Sequence, residues 1–232
     1  MNTKLTACSR RTGRRTVNFE RKIFVSEAAR PLRVAVIGAG PAGIYTADIL
    51  TKSEEVRTGA VEVAINIIDR YPAPFGLIRY GVAPDHPRIK GIITALHKVL
   101  DRGDIRFFGN VEYGKDLTLA DLREHYDAII FATGAIFDAP LNIKGIDLDG
   151  SWYDGHPDYP RTWPLKAEQV AVLGNGNVAL DVSRILSKHA DDLLVTEIPD
   201  NVYEGLKASP VTDVHVFGRR GPAQMKFTPL EL

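Results

Sequence analysis

Residues Leu32–Gly43, LRVAVIGAGPAG, combine an apolar run with three glycines at G-x-G-x-x-G spacing. The pattern predicts a buried strand over Leu32–Ile37, a tight turn, and a helix that begins directly after the turn. Gly38 permits the turn, Gly40 lets the main chain approach a pyrophosphate, and Gly43 allows the helix to pack closely on the strand. Because the N–H groups at the start of a helix attract negative charge, the stretch predicts a dinucleotide-binding turn.

A second apolar run, Val61–Ile68, ends in Asp69 and follows a segment of helical length, Pro41–Ser53. A carboxylate at the end of the second strand accepts hydrogen bonds from ribose hydroxyls in dinucleotide-binding units. Asp69 therefore favours a ribose with both hydroxyls free, as in FAD or NAD, over a ribose with a 2′-phosphate. The glycine pattern alone also fits a turn in another kind of α/β domain, and the order of the segments is what favours a nucleotide.

Segment Arg70–Gly91 is dense in proline, glycine and aromatic residues, which predicts an ordered loop. Ligands of α/β sheets bind at the carboxyl ends of the strands, so we expect this apolar loop to cover a flat apolar group such as a flavin ring. Further along, the patterns predict a helix over Ile89–Leu100 and a strand over Ile105–Gly114. A buried strand follows over Ala128–Gly134, and the small residues around Gly134 indicate a backbone that passes close to a cofactor.

The opening pattern returns at Gln169–Leu173, which is followed by GNGNVALDVSRIL. This is G-x-G-x-x-A, with Gly174 and Gly176 as its glycines. The next predicted strand lies in VTDVHVFGRRG and ends in Arg219 and Arg220 instead of an acid. Paired arginines are common on solvated surfaces, but at the tip of a second strand two guanidinium groups favour a 2′-phosphate, to which arginine bonds bidentately. The second unit is therefore predicted to bind NADP(H).

The composition, 44% hydrophobic and 25% charged residues, is that of a soluble globular protein. No apolar run approaches the roughly 18 residues that a membrane helix requires. The single cysteine, Cys8, excludes a disulfide framework, a C-x-x-C pair and a cysteine-held iron–sulfur cluster within this sequence. We find no catalytic triad and no metal constellation, so we expect any electron chemistry to depend on bound organic cofactors or on a partner.

Residues 1–30 carry eight Lys and Arg residues against two Glu residues, and the rest of this formally neutral chain is correspondingly acidic. A tail rich in arginine loosely fits an organelle transit peptide. The simpler interpretation is a disordered basic extension of a cytoplasmic protein. The tail could bind nucleic acid on charge alone, but no fold motif supports that function and we predict none.

These patterns predict an α/β fold with two Rossmann-like dinucleotide-binding domains, the first for FAD and the second for NADP. We expect a disordered tail at residues 1–30, the FAD-binding domain at 31–138 and the NADP-binding domain at 139–232. One chain that holds both cofactors is suited to hydride transfer from nicotinamide to flavin, in which the protein supplies orientation and electrostatics.

Six stretches resemble the NADPH:ferredoxin (adrenodoxin-type) reductase family, particularly its actinobacterial members. They are VIGAGPAGIYTADIL, PFGLIRYGVAPDHPRIKG, FFGNVEYG, ATGA, GNGNVALDVSRIL and VFGRRGPAQMKFTPLEL. The resemblance extends from about Pro31 to Leu232, and its second and last stretches are more discriminating than either glycine pattern. In this family a later segment closes the flavin domain, so we expect both domains to be incomplete in this chain.

The resemblance implies an FAD enzyme that takes hydride from NADPH and passes single electrons to a ferredoxin of the [2Fe-2S] or a related type. It implies FAD contacts at Gly40, Ala42, Asp69, Leu77 and Val111. It implies NADP contacts at Asn175, Gly176, Asn177, Val178, Arg219, Arg220 and Glu231. It also places His86 near the flavin and the nicotinamide as a catalytic residue, although a histidine between Asp85 and Pro87 is as often a residue that only hydrogen-bonds its loop.

Other functions fit parts of the sequence. An electron-input flavoprotein subunit requires cysteine clusters and a disulfide reductase requires a cysteine pair, which the sequence lacks. A flavin monooxygenase and a truncated, non-catalytic nucleotide-binding fragment remain alternatives. An acidic ferredoxin requires a basic docking face, for which Arg79, Arg88 and Lys90 are candidates, although a solvated loop with scattered charges fits them equally well.

Overall fold

The computed structural model describes residues 30–135, 162, 165–219, 221–225 and 227. The predicted disordered tail, apart from its last residue, and the predicted domain boundary between residues 138 and 139 lie outside these ranges. By its internal contacts, Leu32–Leu232 forms one unit, and of the other unit, Met1–Pro31, only the last two residues are described.

A four-stranded parallel sheet forms the first part of the described chain. Its strands are β1 (Leu32–Ile37), β2 (Val63–Ile68), β3 (Ile105–Phe108) and β4 (Ala128–Phe131), in the order β3-β2-β1-β4. In the register of the sheet, Ile37 lies beside Ile68 on one side and beside Phe131 on the other. The residues that follow β1, β2 and β4 therefore meet at one edge of the sheet.

Helices cover both faces of this sheet. They are α1 (Pro41–Thr51), α2 (Glu54–Arg57), α3 (Leu77–Tyr80), α4 (Pro87–Lys90), α5 (Ile92–Leu100) and α6 (Leu119–His125). The larger core lies where α1 and α5 pack on the sheet and includes Val36, Ile44, Ile67, Phe75 and Leu96. A smaller core beneath α6 contains Ala35, Ile37, Ile68 and Leu122. The alternating strand residues thus supply both cores.

Two parallel strands form a second sheet, β5 (Gln169–Leu173) and β6 (Asp213–Phe217). Between them lie α7 (Asn177–Ser187), a 3₁₀ helix (Ala190–Leu193) and α8 (Asp200–Lys207), and a 3₁₀ turn (Pro222–Gln224) follows β6. Leu173 pairs with Phe217, so the residues after both strands share one edge. No helix in the described ranges is long and apolar enough to cross a membrane.

The structure corrects three predicted elements. The strand predicted over Ile105–Gly114 ends at Phe108: the chain then passes another loop, where a Cβ on Gly109 would lie 2.8 Å from the Pro72 carbonyl oxygen, and Asn110 turns it with a φ of 57°. The loop predicted over Arg70–Gly91 contains two single-turn helices, α3 and α4. Local sequence did not reveal these features, because the end of β3 depends on another loop and the helices have only four residues each. The buried strand predicted over Ala128–Gly134 ends at Phe131, and its residues are half-buried or exposed.

Candidate functional site

The turn after β1, Gly38–Gly43, is called here the first glycine turn. Gly38 has a φ of 109°, and a Cβ on it would lie 2.3 Å from the Ala132 carbonyl oxygen after β4. A Cβ on Gly43 would lie 2.0 Å from the Gly38 carbonyl oxygen. These two positions require glycine because backbone from neighbouring elements occupies the space of a side chain.

Gly40 has different surroundings from the other two glycines. A Cβ on Gly40 would meet nothing within 4 Å, so the space in front of the turn is open. Helix α1 begins directly after Gly40, with neither a side-chain cap nor an acidic residue in its first turn. The N–H groups of Ala42 and Gly43 belong to this first turn, where helix N–H groups lack partners within the helix. Together these features suit an anion, as the sequence predicts.

Asp69 follows β2 and lies against the first glycine turn. Its Oδ2 accepts a hydrogen bond from the Ala39 N–H at 2.6 Å, and its Oδ1 accepts one from the Tyr71 N–H at 2.9 Å. The two bonds fix the orientation of the carboxylate. Each oxygen keeps a second lone pair that can accept a hydrogen bond from a ligand hydroxyl.

The loop after Asp69 packs directly on the first glycine turn. The Phe75 N–H bonds to the Ala39 carbonyl oxygen at 2.8 Å, and a Cβ on Gly76 would lie 3.1 Å from the Gly40 Cα. Phe75 is fully buried at a φ of 92°, whereas the Leu77 side chain is 65% exposed. Leu77 was predicted as a site residue and Phe75 was not, since only the tertiary contact with Ala39 reveals that Phe75 anchors the loop.

Val111 and Gly134 complete the predicted positions around the first sheet. The Val111 N–H bonds to the Asp69 carbonyl oxygen at 3.0 Å, so Val111 lies beside Asp69 and presents its half-buried side chain and its carbonyl group. Gly134 lies three residues after β4, is exposed, and has a φ of 65° with open space around its Cα. The structure brings Val111 to the first glycine turn through Asp69, while Gly134 lies just beyond Ala132, which contacts Gly38.

The turn after β5, Gly174–Ala179, is called here the second glycine turn. Gly174 has a φ of 143°, its N–H bonds to the Phe217 carbonyl oxygen at 2.9 Å, and Gly176 directly precedes helix α7. Like α1, helix α7 has neither a side-chain cap nor an acid in its first turn. A cleft of about 560 Å³ opens here, lined by Val172, Leu173, Gly174, Gly176, Asn177, Val178, Ala179 and Val182.

Arg219 lies two residues after β6, at the sheet edge that carries the second glycine turn, and its side chain is exposed. Asn175 lies within the turn, and the Val178 side chain is 70% exposed. Arg220 and Glu231 lie outside the described residues. The structure therefore places the described members of the predicted NADP set at one edge of the second sheet.

His86 links the loop that follows β2 to helix α7, which lies between β5 and β6 in the chain. Its Nε2 lies 2.7 Å from Oδ1 of Asp181 on α7, and the Arg184 Nη2 lies 3.0 Å from the same His86 nitrogen. Asp181 is buried and also accepts a bond from Arg184 at 2.7 Å. His86 thus bonds to side chains of another element and not only to its own loop.

Asp85 binds two cations, Arg184 on the same helix and Lys188 directly after it. Arg184 donates two hydrogen bonds to its carboxylate, from Nε at 2.7 Å and from Nη2 at 2.9 Å, and Lys188 donates one at 2.6 Å. Burial acts to raise the pKa of Asp85, but these bonds outweigh it and hold that pKa well below its usual range. The bond to Asp85 also raises the pKa of Arg184.

Asp181 and Arg184 were not predicted as site residues from the sequence. Their i, i+3 spacing on a predicted helix places them on one face, which is a weak signal. Within the described part of the chain, no group of three or more His, Cys, Asp or Glu side chains could hold a metal ion.

Comparison with known proteins identifies the family of this chain. Residues 32–212 match the pyridine nucleotide-disulphide oxidoreductase family, and the chain belongs to this family. The match spans the first sheet, the second glycine turn and the approach to β6.

Three relatives illustrate the similarity. The chain is 43% identical over 208 residues to NADPH-ferredoxin reductase FprA of Mycobacterium leprae, covering 86% of this chain and 45% of the relative. It is 45% identical over 221 residues to the mitochondrial NADPH:adrenodoxin oxidoreductase of Arabidopsis thaliana, covering 91% and 44%. The solved structure of Mycobacterium tuberculosis FprA in complex with NADPH matches with a TM-score of 0.78 at 41% identity, covering 87% and 46%. The chain thus spans less than half the length of these relatives.

Proposed function

We propose that this chain is the nucleotide-binding part of an FAD-dependent oxidoreductase that takes hydride from NADPH and passes single electrons to a ferredoxin-type iron–sulfur protein. The observation that carries the proposal is the pair of glycine turns, one beside an acid, Asp69, and one beside a base, Arg219. The similarity to reductases of ferredoxin and adrenodoxin supports the same function. We propose a [2Fe-2S] or related centre in the partner.

The first glycine turn fits FAD. Gly40 leaves space for a pyrophosphate, and the N–H groups of Ala42 and Gly43 belong to the uncapped first turn of α1 beside it. The carboxylate of Asp69 accepts the ribose hydroxyls in the orientation that its two backbone bonds give it. The exposed Leu77 offers an apolar surface to the flavin. The first glycine turn and Asp69 would hold FAD, which would supply the hydride acceptor and the one-electron donor of the reaction.

The second glycine turn fits NADPH. The first turn of α7 offers N–H groups from Asn177 and Val178 to the pyrophosphate. Arg219 bonds to the 2′-phosphate, which distinguishes NADPH from NADH. Asn175, Gly176, Arg220 and Glu231 belong to the same proposed set.

His86 is proposed to act where the two cofactors meet. Its Nε2 is within hydrogen-bonding distance of Asp181, which orients the imidazole ring. An imidazole nitrogen can donate or accept a hydrogen bond, according to its tautomer. We propose that His86 does so beside the reacting rings.

The proposal includes an FAD-binding domain at residues 31–138 and an NADP-binding domain at 139–232. A cytoplasmic location belongs to the same proposal. Cell fractionation distinguishes it from organelle import directed by the basic tail.

Titration calorimetry with adenosine 2′,5′-bisphosphate tests the NADP site, because this ligand carries the 2′-phosphate without the nicotinamide. We expect Arg219→Ala to weaken binding by about 10- to 100-fold, the usual range for a lost hydrogen bond to a charged group. Arg106→Ala is the matched control, since Arg106 is an exposed arginine on the first sheet, and it should leave affinity unchanged. Equal affinity of the Arg219→Ala variant and the unsubstituted chain would contradict the assignment.

The visible spectrum of the purified chain tests the flavin site. We expect a yellow protein that bleaches anaerobically with NADPH much faster than with NADH. A chain that stays colourless after incubation with FAD would instead support a nucleotide-binding fragment without activity. Rapid oxygen consumption with an organic substrate and no ferredoxin would support a monooxygenase.

A further inference from the structure

The two sheets are joined, among the described residues, where the segment Val82–His86 contacts helix α7. Ala83 is fully buried and packs in one apolar cluster with Ile185 of α7 and with Leu193. Beside this cluster, the Asp85 side chain is only 7% exposed. Arg184 holds its two carboxylate oxygens with two parallel bonds. An apolar contact and a bidentate ion pair thus lie next to each other at the junction.

The geometry of this ion pair restricts rotation as well as distance. A planar guanidinium that bonds both oxygens of a carboxylate fixes the relative orientation of the two groups. Lys188, the residue directly after the last residue of α7, donates a third bond to Asp85. Bonds from Arg184, in the last turn of α7, and from the residue that follows the helix oppose rotation of α7 about its axis.

The opposite end of α7, its amino terminus, forms part of the second glycine turn. Asn177 and Arg184 are seven residues apart, which corresponds to about 10 Å and nearly two full turns. The two residues therefore lie on the same face of the helix. Any rotation at Arg184 moves the N–H groups at Asn177, where the nucleotide is proposed to bind.

The segment that carries Asp85 is also attached to the first glycine turn. The Phe75 N–H bonds to the Ala39 carbonyl oxygen, and Gly76 lies close to Gly40. Between these residues and Asp85, the Val82 N–H bonds to the Leu77 carbonyl oxygen at 2.9 Å. One short and internally bonded segment thus joins the first glycine turn to α7.

We infer that Asp85 is a positioning residue for hydride transfer: through Arg184 and Lys188 it sets the orientation of the second glycine turn relative to the first. The inference rests on the proposed function, because it assigns to Asp85 the alignment of the nicotinamide with the flavin. Asp85 needs no contact with either cofactor for this role. It acts through helix α7.

The distance between the sheets tests the inference directly. Nitroxide labels at Lys98→Cys on α5 and Glu204→Cys on α8, both exposed positions, are measured by pulsed electron paramagnetic resonance in a chain with Cys8→Ser. We expect one narrow distance distribution, which Asp85→Asn broadens at least twofold and Asp85→Glu largely restores. Asp104→Asn is the matched control, since Asp104 is an exposed acid bonded to Arg102 in the turn between α5 and β3. An unchanged distribution in the Asp85→Asn variant would overturn the inference.

Nucleotide binding and flavin reduction separate positioning from general stability. In the Asp85→Asn variant, we expect affinity for adenosine 2′,5′-bisphosphate to stay within about twofold, because the second glycine turn itself is intact. In the flavin-loaded chain, we expect the rate of reduction by NADPH to fall about tenfold at saturation without a rise in the half-saturating concentration. A purely structural role instead predicts that affinity and thermal stability fall together, with no specific loss of rate.

A milder variant covers the case in which Asp85→Asn does not fold. Lys188→Gln removes one of the three bonds from a side chain that is 35% exposed, and should broaden the distance distribution to a smaller extent. An unchanged distribution in this folded variant, when Asp85→Asn does not fold, would overturn the inference. Failure of the unsubstituted chain to bind adenosine 2′,5′-bisphosphate would contradict the proposed function instead. The distance measurement does not depend on any bound nucleotide, so the two failures are distinguishable.

Discussion

At the scale of single residues, Gly38 and Gly40 show that two glycines of one pattern have different physical roles. Gly38 is enclosed by the backbone after β4, whereas Gly40 faces open space. Gly40 also has a φ of −70° and a ψ of 176°, an extended conformation that any residue adopts. The first glycine is therefore required by the fold and the second by the proposed ligand.

We expect Gly38→Ala to lower the free energy of unfolding by about 3 kcal/mol, because it combines a strained backbone with a steric clash. Gly40→Ala should change stability by less than about 0.5 kcal/mol, as is usual away from packed features, but should abolish FAD binding. Urea denaturation and flavin fluorescence quenching measure the two effects. Full FAD binding by the Gly40→Ala chain would contradict the proposed pyrophosphate position.

At the scale of elements, the loop between β2 and α5 is ordered by its attachments and not by regular secondary structure. Phe75 fills the core between the sheet and α5, with its ring 4.6 Å from that of His97 and with the Arg79 guanidinium 5.2 Å from its centre. Its neighbour Leu77 projects outward. The loop therefore has one residue that anchors it and another that is available to a ligand.

Substitution of these two residues should separate stability from binding. Phe75→Ala removes a buried aromatic ring and should cost about 3 to 5 kcal/mol, with faster amide hydrogen exchange over residues 76–82. Leu77→Ala should change stability by less than about 0.5 kcal/mol while it weakens FAD retention. Hydrogen exchange with mass spectrometry and thermal denaturation provide the readouts. Slow exchange in the loop of the Phe75→Ala variant would show that other contacts anchor it.

At the scale of the whole molecule, the Asp85 carboxylate makes the stability of the fold depend on pH. The pKa of Asp85 in the folded chain lies below its value of about 4 in an unfolded chain, because the bonds from Arg184 and Lys188 outweigh its burial. A group of this kind stabilises the fold fully above its unfolded pKa. The stabilisation is lost as the pH falls from about 4 towards the folded pKa.

The free energy of unfolding of the unsubstituted chain should therefore exceed that of the Asp85→Asn variant by on the order of 2 kcal/mol at pH 7, as for hydrogen bonds between charged groups. Urea denaturation at pH 7, 5 and 3 should show this difference shrinking only below about pH 4. Asp104→Asn again serves as control. A difference that stays constant down to pH 3 would mean that the negative charge of Asp85 does not stabilise the fold.

Local sequence determined two features of this protein. One is the repeated order of strand, glycine turn and helix, and the other is the type of charged residue that follows β2 and β6. The predicted bounds of β1 and β5 agree with the structure, because a continuous apolar run followed by glycine specifies a strand without help from distant residues. The acid after β2 and the arginines after β6 are also evident from local sequence, because they closely follow the predicted strands. Parallel strands bring their carboxyl ends to one edge of a sheet, so these residues are expected beside the glycine turns.

The contact between the two sheets and the end of β3 depend on the tertiary structure. Asp85 and Arg184 are 99 residues apart, and no periodicity relates them. β3 ends before Gly109, where the chain passes close to the carbonyl groups of Tyr71 and Pro72. Hydrophobic periodicity reports which face of one element is buried, whereas the identity of the partner across that face depends on packing of the whole chain.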